Sequence, residues 1–199
     1  MRVLVTREEL VARVEVLGHD GVLCELIRVE PLGDEPVDAR AYDWLVVTSR
    51  NGARELARRG VTANRIAAIG PATAEALGAH GLQVDLVAAT HTQEGLRDEL
   101  PEGTRLLAAA EGARRDVLGA DFLPLYRTIE LRPEVPDADV ALLMSGSAAR
   151  ALAVTGAGVP VVAIGPQTAA EARAAGLEVV AVAASHDLDG LVEALRSRS

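Results

Sequence analysis

The chain contains two copies of one unit, and the copies are out of phase with its ends. At an offset of 95, residues 64–100 fall on 159–195 with 17 of 37 positions identical. Within that match Ala68-Ile69-Gly70-Pro71-Ala72-Thr73-Ala74 lies on Ala163-Ile164-Gly165-Pro166-Gln167-Thr168-Ala169, and His91 lies on His186. Upstream, at an offset of 96, Asp43-Trp44-Leu45-Val46-Val47-Thr48-Ser49 corresponds to Asp139-Val140-Ala141-Leu142-Leu143-Met144-Ser145. A fainter match ties Arg2-Val3-Leu4 to Arg105-Leu106-Leu107. Taken in order, the apolar runs near 43, 65, 83, 104 and 121 then correspond to those near 139, 160, 178, 2 and 22. The second copy closes only by wrapping around both termini. The repeat therefore predicts an inserted domain over 36–125 and a discontinuous domain built from 1–30 and 133–199. Segments 25–35 and 126–132 connect them, and the polar–apolar alternation of 25–30 and 126–131 predicts a two-stranded link.

Within a unit, short apolar runs alternate with amphipathic stretches: strands near 44–47, 65–69, 84–87 and 106–109, and helices over 50–59, 71–80, 93–99 and 111–118. That alternation predicts a parallel sheet with right-handed crossovers and helices on both faces. Five strands per unit predict two flavodoxin-like α/β domains, with ligands at the carboxyl ends of the strands. Composition agrees, because the aromatics are only Tyr42, Trp44, Phe122 and Tyr126, so the core is aliphatic.

All basic residues are arginine. The absence of lysine excludes Schiff-base chemistry and a Walker-type phosphate loop. A net charge of −9 without an arginine-rich block argues against a nucleic-acid partner, and any anionic ligand must be held by local features. The single cysteine, Cys24, forms no internal disulfide and reads as a buried small hydrophobe. Neither a membrane-spanning run nor a secretory leader is evident, which predicts a cytoplasmic protein. No His or carboxylate spacing suggests a metal site.

The repeated Ile-Gly-Pro-x-Thr-Ala places a glycine at a strand end, a proline at the first helical position and a threonine in the first turn. Such an end exposes backbone N–H groups and the positive pole of a helix to a carboxylate or phosphate. A well-formed strand-to-helix turn is the plainer account. Thr48-Ser49-Arg50-Asn51-Gly52 and Ser145-Gly146-Ser147 form a second pair of strand ends, for which helix capping alone is a sufficient account. Two such ends per unit, if the units face one another, would line a cleft with N–H donors suited to a large polyanion. His91 and His186 lie before the last helix of each match, where turn or cap chemistry is the simpler role. In 111–115 an arginine could reach an anion, or the segment could be plain solvated surface.

These elements, in this order, resemble uroporphyrinogen-III synthases. The resemblance rests on Arg2-Val3-Leu4-Val5-Thr6-Arg7, Asp43 to Asn51, the two Ile-Gly-Pro-x-Thr-Ala segments, Glu111-Gly112-Ala113-Arg114, Tyr126-Arg127-Thr128 and Ser145-Gly146-Ser147. It covers nearly the whole chain. It implies two α/β domains, one interrupted by the other, and cyclisation of hydroxymethylbilane to uroporphyrinogen III with loss of water and inversion of ring D through a spiro intermediate. It also implies no cofactor, a polyanionic tetrapyrrole as the partner and a monomer. By matched position Ser49, Arg50, Thr73, Ser145, Ser147, Gln167 and Thr168 would contact substrate carboxylates, and Tyr126 would lie near the reacting end. Asn51, Gly70, Gly146 and Gly165 belong to the same motifs and join the substrate-binding set. The alternatives are a non-catalytic module that binds a tetrapyrrole or another polyanion, and a scaffold that docks a partner.

Overall fold

A computed structural model describes residues 1–197. The chain begins with β1 (Arg2–Val5), α1 (Glu8–Val16), β2 (Asp20–Leu23), β3 (Ile27–Pro31), β4 (Val37–Asp38), β5 (Trp44–Val47) and α2 (Arg50–Arg59). It continues through β6 (Val61–Thr62), β7 (Ile66–Ala68), α3 (Pro71–Gly78), β8 (Leu86–Val87), α4 (Gln93–Glu99), β9 (Arg105–Ala110) and β10 (Asp121–Glu130). The last elements are β11 (Val140–Leu143), α5 (Gly146–Val154), β12 (Val161–Ala163), α6 (Pro166–Ala174), β13 (Val179–Val182) and α7 (Leu188–Arg196). They fall into two compact units, Met1–Arg28 with Ile129–Ser199, and Val29–Thr128.

In the discontinuous unit the strands lie in the order β13-β12-β11-β1-β2, all parallel. Counted along the chain this is the flavodoxin-like order 2-1-3-4-5. In the inserted unit the order is β3-β10-β9-β5-β7-β8. Setting aside the added edge strand β3, position by position β10, β9, β5, β7 and β8 stand where β2, β1, β11, β12 and β13 stand in the other unit. Both sheets therefore have one spatial plan, and the inserted copy enters it at a different strand. Each sheet reverses its winding at an equivalent place, between β1 and β11 in one unit and between β9 and β5 in the other. Such a reversal opens a crevice at the carboxyl ends of the strands.

Both faces of each sheet are buried, which explains the unbroken apolar strands. Along β5, Leu45 and Val47 point toward α2 and α3 with Leu56 and Leu77, whereas Trp44 and Val46 pack with Leu96 of α4 and with Leu118. In the other unit Leu4, Ala141 and Leu143 join α5 and α6, while Val3, Val5 and Leu142 join α1 and α7. The duplication extends to the sheet's lower edge. Asp43 accepts from the Thr104 amide (2.8 Å) and hydroxyl (3.0 Å), and its counterpart Asp139 accepts from the Arg2 amide (2.7 Å), so each acid ties the start of one central strand to the next.

Three sequence-level expectations are corrected. No helix forms over 111–118, which is a series of turns. Only ten residues join β9 to its parallel neighbour β10, against fourteen between β1 and β2, and ten are too few to run a helix back along six-residue β9 with a loop at each end. The helix expected to reach residue 80 ends at Gly78. The run near 121 and the crossing at 126–131 are one ten-residue strand, β10, hydrogen-bonded to β3. At its ends the Leu131 amide donates to Leu26 and the Leu32 amide to Leu125 (2.8 Å each), numbers that rise on one strand as they fall on the other, as in an antiparallel pair.

Candidate active site

The predicted residues lie at the carboxyl end of their own sheets. Ser49 follows β5 and caps α2, accepting the Gly52 amide at 3.0 Å; Arg50 and Asn51 are the first residues of that helix, half-buried. Among the described residues Arg50 has no ion-pair partner. One strand over, Gly70 and Pro71 open α3, with Thr73 in its first turn. The discontinuous unit repeats this plan: Ser145 caps α5, accepting the Ala148 amide at 3.2 Å, and Gly165 and Pro166 open α6, with Gln167 exposed and Thr168 buried.

Tyr126 sits beside the first cap. Strand alternation would send Leu125 and Tyr126 to opposite faces, but the register of β10 against β9 slips between Pro124 and Tyr126. Both side chains then enter one cluster with Val47 and Leu56. The ring is 5% exposed, and its hydroxyl lies 2.8 Å from Ser49 Oγ. Ser49 Oγ accepts the Gly52 N–H, and either hydroxyl can donate in the bond to Tyr126; when Ser49 donates, the phenol O–H is free to donate elsewhere. Burial pushes the Tyr126 phenol above its usual value, and the hydrogen bond from Ser49 partly opposes that shift.

Of the seven helices, α2, α4, α5 and α7 have side-chain caps in Ser49, Thr92, Ser145 and Asp187; α1, which follows Arg7, and the two helices opened by Gly-Pro, α3 and α6, have none. Thr73 and Thr168 are 5% and 7% exposed, and among the described residues neither hydroxyl has a hydrogen-bond partner. Each unit thus holds one uncapped helix end with a largely buried threonine and its unpartnered hydroxyl in the first turn, an arrangement of donors suited to a carboxylate.

The α5 end is different again. The Glu171 carboxylate occupies the space where a side chain at Gly146 would stand, and it is paired with Arg150. Arg150 also reaches Glu130 at 2.8 Å and Ser147 Oγ at 3.2 Å. At the equivalent positions of the other unit stand Arg50 and Ala76, so the two copies carry opposite charge at this end. Glu171 was not legible in the sequence, because only the fold brings the second turn of α6 onto the first turn of α5. In 111–115, Arg114 pairs with Glu94 (2.8 Å) and Arg115 stacks on Phe122 (4.0 Å). Glu111 accepts a two-pronged bond from Arg127, which holds its carboxyl below the usual range. Cys24 is buried, and burial pushes its thiol up. No helix among the described residues is long and apolar enough to cross a membrane.

Comparison with known proteins bears on what these ends receive. A putative uroporphyrinogen-III synthase of Archaeoglobus fulgidus is 30% identical over 231 aligned positions, spanning 100% of this chain and 99% of that protein. The crystal structure of a mutant uroporphyrinogen III synthase from the extremely thermophilic bacterium Thermus thermophilus is 19% identical and superposes with a TM-score of 0.65, covering 99% of this chain and 98% of that one. That likeness establishes the two-domain α/β fold. The family described as uroporphyrinogen-III synthase HemD matches residues 8–193, and the chain belongs to that family.

Proposed function

We propose that the protein closes hydroxymethylbilane to uroporphyrinogen III, with loss of water and inversion of ring D. The observation that carries this reading from family to chemistry is the Ser49–Tyr126 hydrogen bond at the carboxyl end of the inserted unit's sheet. Loss of the terminal hydroxyl needs a proton donor, and on this reading Ser49 donates to the phenol oxygen so that the buried Tyr126 keeps its own proton for that purpose. The remaining task is orientation, since the chain must present the inverted ring carbon in place of the nearer one. The substrate's eight carboxylates supply the handles. On this reading the uncapped ends of α3 and α6, with Gly70, Thr73, Gly165, Gln167 and Thr168, take carboxylates, and so does Arg50, while Asn51, Ser145, Gly146 and Ser147 line neighbouring ends. The reaction uses no cofactor. The working form is a cytoplasmic monomer, in keeping with one unpaired cysteine and an internal duplication that supplies two like units in one chain.

The test is to incubate the purified protein with hydroxymethylbilane and separate the isomers. A synthase yields the type III product in proportion to enzyme added. A module that only binds tetrapyrroles leaves the spontaneous type I ring as the product, and that result would overturn the proposal.

A further inference from the structure

Gly70 and Gly165 have φ values of 179° and −175°, extended backbone that any residue adopts. Conformation therefore does not call for glycine at either place. Space does. A Cβ at Gly70 would stand 3.0 Å from Cγ and 3.1 Å from Cδ2 of His91, and a Cβ at Gly165 would stand 3.0 Å from Cδ2 and 3.2 Å from Nε2 of His186. In each unit, the absent side chain makes room for an imidazole lying against the uncapped end of a helix. The surrounding loops differ, Thr90-His91-Thr92-Gln93 in one unit and Ser185-His186-Asp187-Leu188 in the other, yet ring and glycine meet in the same way.

Capping does not explain the pair. The caps of α4 and α7 are the next residues, Thr92 and Asp187, which accept from Gly95 (3.0 Å) and Gly190 (2.7 Å). Among the described residues neither imidazole makes a hydrogen bond or an ion pair, and both residues are exposed. The helix end under each ring carries the largely buried Thr73 or Thr168, whose hydroxyl is likewise without a partner among the described residues, on a Cα–Cβ bond that tilts toward the helix N-terminus. First-turn amides and a threonine hydroxyl thus lie at each end beside an imidazole, which carries one N–H in either neutral tautomer.

We propose that His91 and His186 are substrate-carboxylate ligands, one per unit, each closing the side of a helix end that its glycine leaves open. The assignment rests on the synthase reading for the identity of the ligand. His→Phe preserves a ring against the glycine and removes the donor; His→Gln restores a donor at about the reach of Nε2. The experiment titrates the intact protein and the variants H91F, H186F, H91Q and H186Q with uroporphyrin III, the stable oxidised product, by fluorescence. It also measures KM and kcat for hydroxymethylbilane and the thermal midpoint without ligand. Each Phe variant should keep the midpoint and kcat while Kd and KM rise roughly ten-fold, the scale of one hydrogen bond to a charged group. Each Gln variant should recover most of that loss. Folded Phe variants with wild-type Kd and KM would overturn the ligand assignment and leave the synthase reading standing. Loss of uroporphyrin III binding in the Phe variants of a protein that makes no type III product would support the assignment and overturn the synthase reading instead. If a Phe variant does not fold, a Gln variant of wild-type midpoint that binds as weakly as one without a donor also overturns it.

Discussion

Tyr126 and Ser49 concentrate the chemistry of the account in two hydroxyls 2.8 Å apart. Tyr126→Phe keeps the ring in its cluster and removes only the proton donor. The expected result is a folded protein that forms type III product roughly ten-fold or more slowly, about 1.4 kcal/mol of transition-state stabilisation; a wild-type rate would return Tyr126 to packing. Ser49→Ala removes the phenol's partner and a helix cap together, so it should lower both kcat and, by about 1 kcal/mol, stability. The pH dependence follows from the direction of the Tyr126 shift. A phenol raised above 10.0 in the folded state remains protonated up to that pH, so its contribution to stability is fully present below the unfolded value and is lost as pH rises through the folded one. Activity should therefore show no basic limb from Tyr126 below about pH 10, and a limb near pH 8 that disappears in Tyr126→Phe would contradict the assignment. Tyr126 itself stood out in the sequence as a rare aromatic at a domain crossing. Ser49 stood out too, as a strand-end cap and carboxylate contact, but its pairing with Tyr126 did not, because it depends on a register slip after Pro124 that no local pattern announces.

At the scale of elements, the helix ends divide into those the chain caps itself and those it leaves open. Thr73→Ala and Thr168→Ala each remove one donor and leave the amides, so each should weaken product binding by about 1 kcal/mol without changing the fold. Gly165→Val is a larger change: its branched side chain displaces the His186 ring, so binding should fall further than in Thr168→Ala, as titration with uroporphyrin III would reveal. The α5 end runs the other way. Glu171→Gln removes a negative charge from a helix N-terminus while keeping its shape, so affinity for an octacarboxylate should rise several-fold, most strongly at low ionic strength. An unchanged or weaker affinity would place that end outside the substrate's reach. The Gly-Pro-x-Thr ends were legible because glycine, proline and threonine each act locally. The ring contacts and Glu171 were not, since residues 21 and 25 positions away supply them through the sheet. The absent helix at 111–118 marks the same limit: its apolar spacing suggested a helix, and the length of the connection forbade one.

For the molecule as a whole, the strongest information lay in the phase of the repeat, which identified the wrap-around before any element had firm bounds. It did so because equivalent strands in the two sheets occupy equivalent places, whatever their order along the chain. The unit Val29–Thr128 has its own sheet and two aliphatic clusters, one on each face, so a fragment of those residues should unfold cooperatively, while a fragment of residues 1–100 should not, lacking β9, β10 and β11 to β13. In the 1–100 fragment β1 keeps its neighbour β2 but loses β11, its partner on the other side, and calorimetry or limited proteolysis would distinguish the two fragments. On the proposed function the reaction belongs to the whole duplicated chain, with carboxylate-receiving helix ends contributed by each unit. The most direct measurement is the isomer ratio formed from hydroxymethylbilane by the intact protein beside that formed by the folded 29–128 fragment, which holds Ser49 and Tyr126 but only one Gly-Pro-x-Thr end. The intact chain should give type III product and the fragment only the spontaneous type I ring; type III product from the fragment alone, or none from the intact chain, would contradict the proposed function.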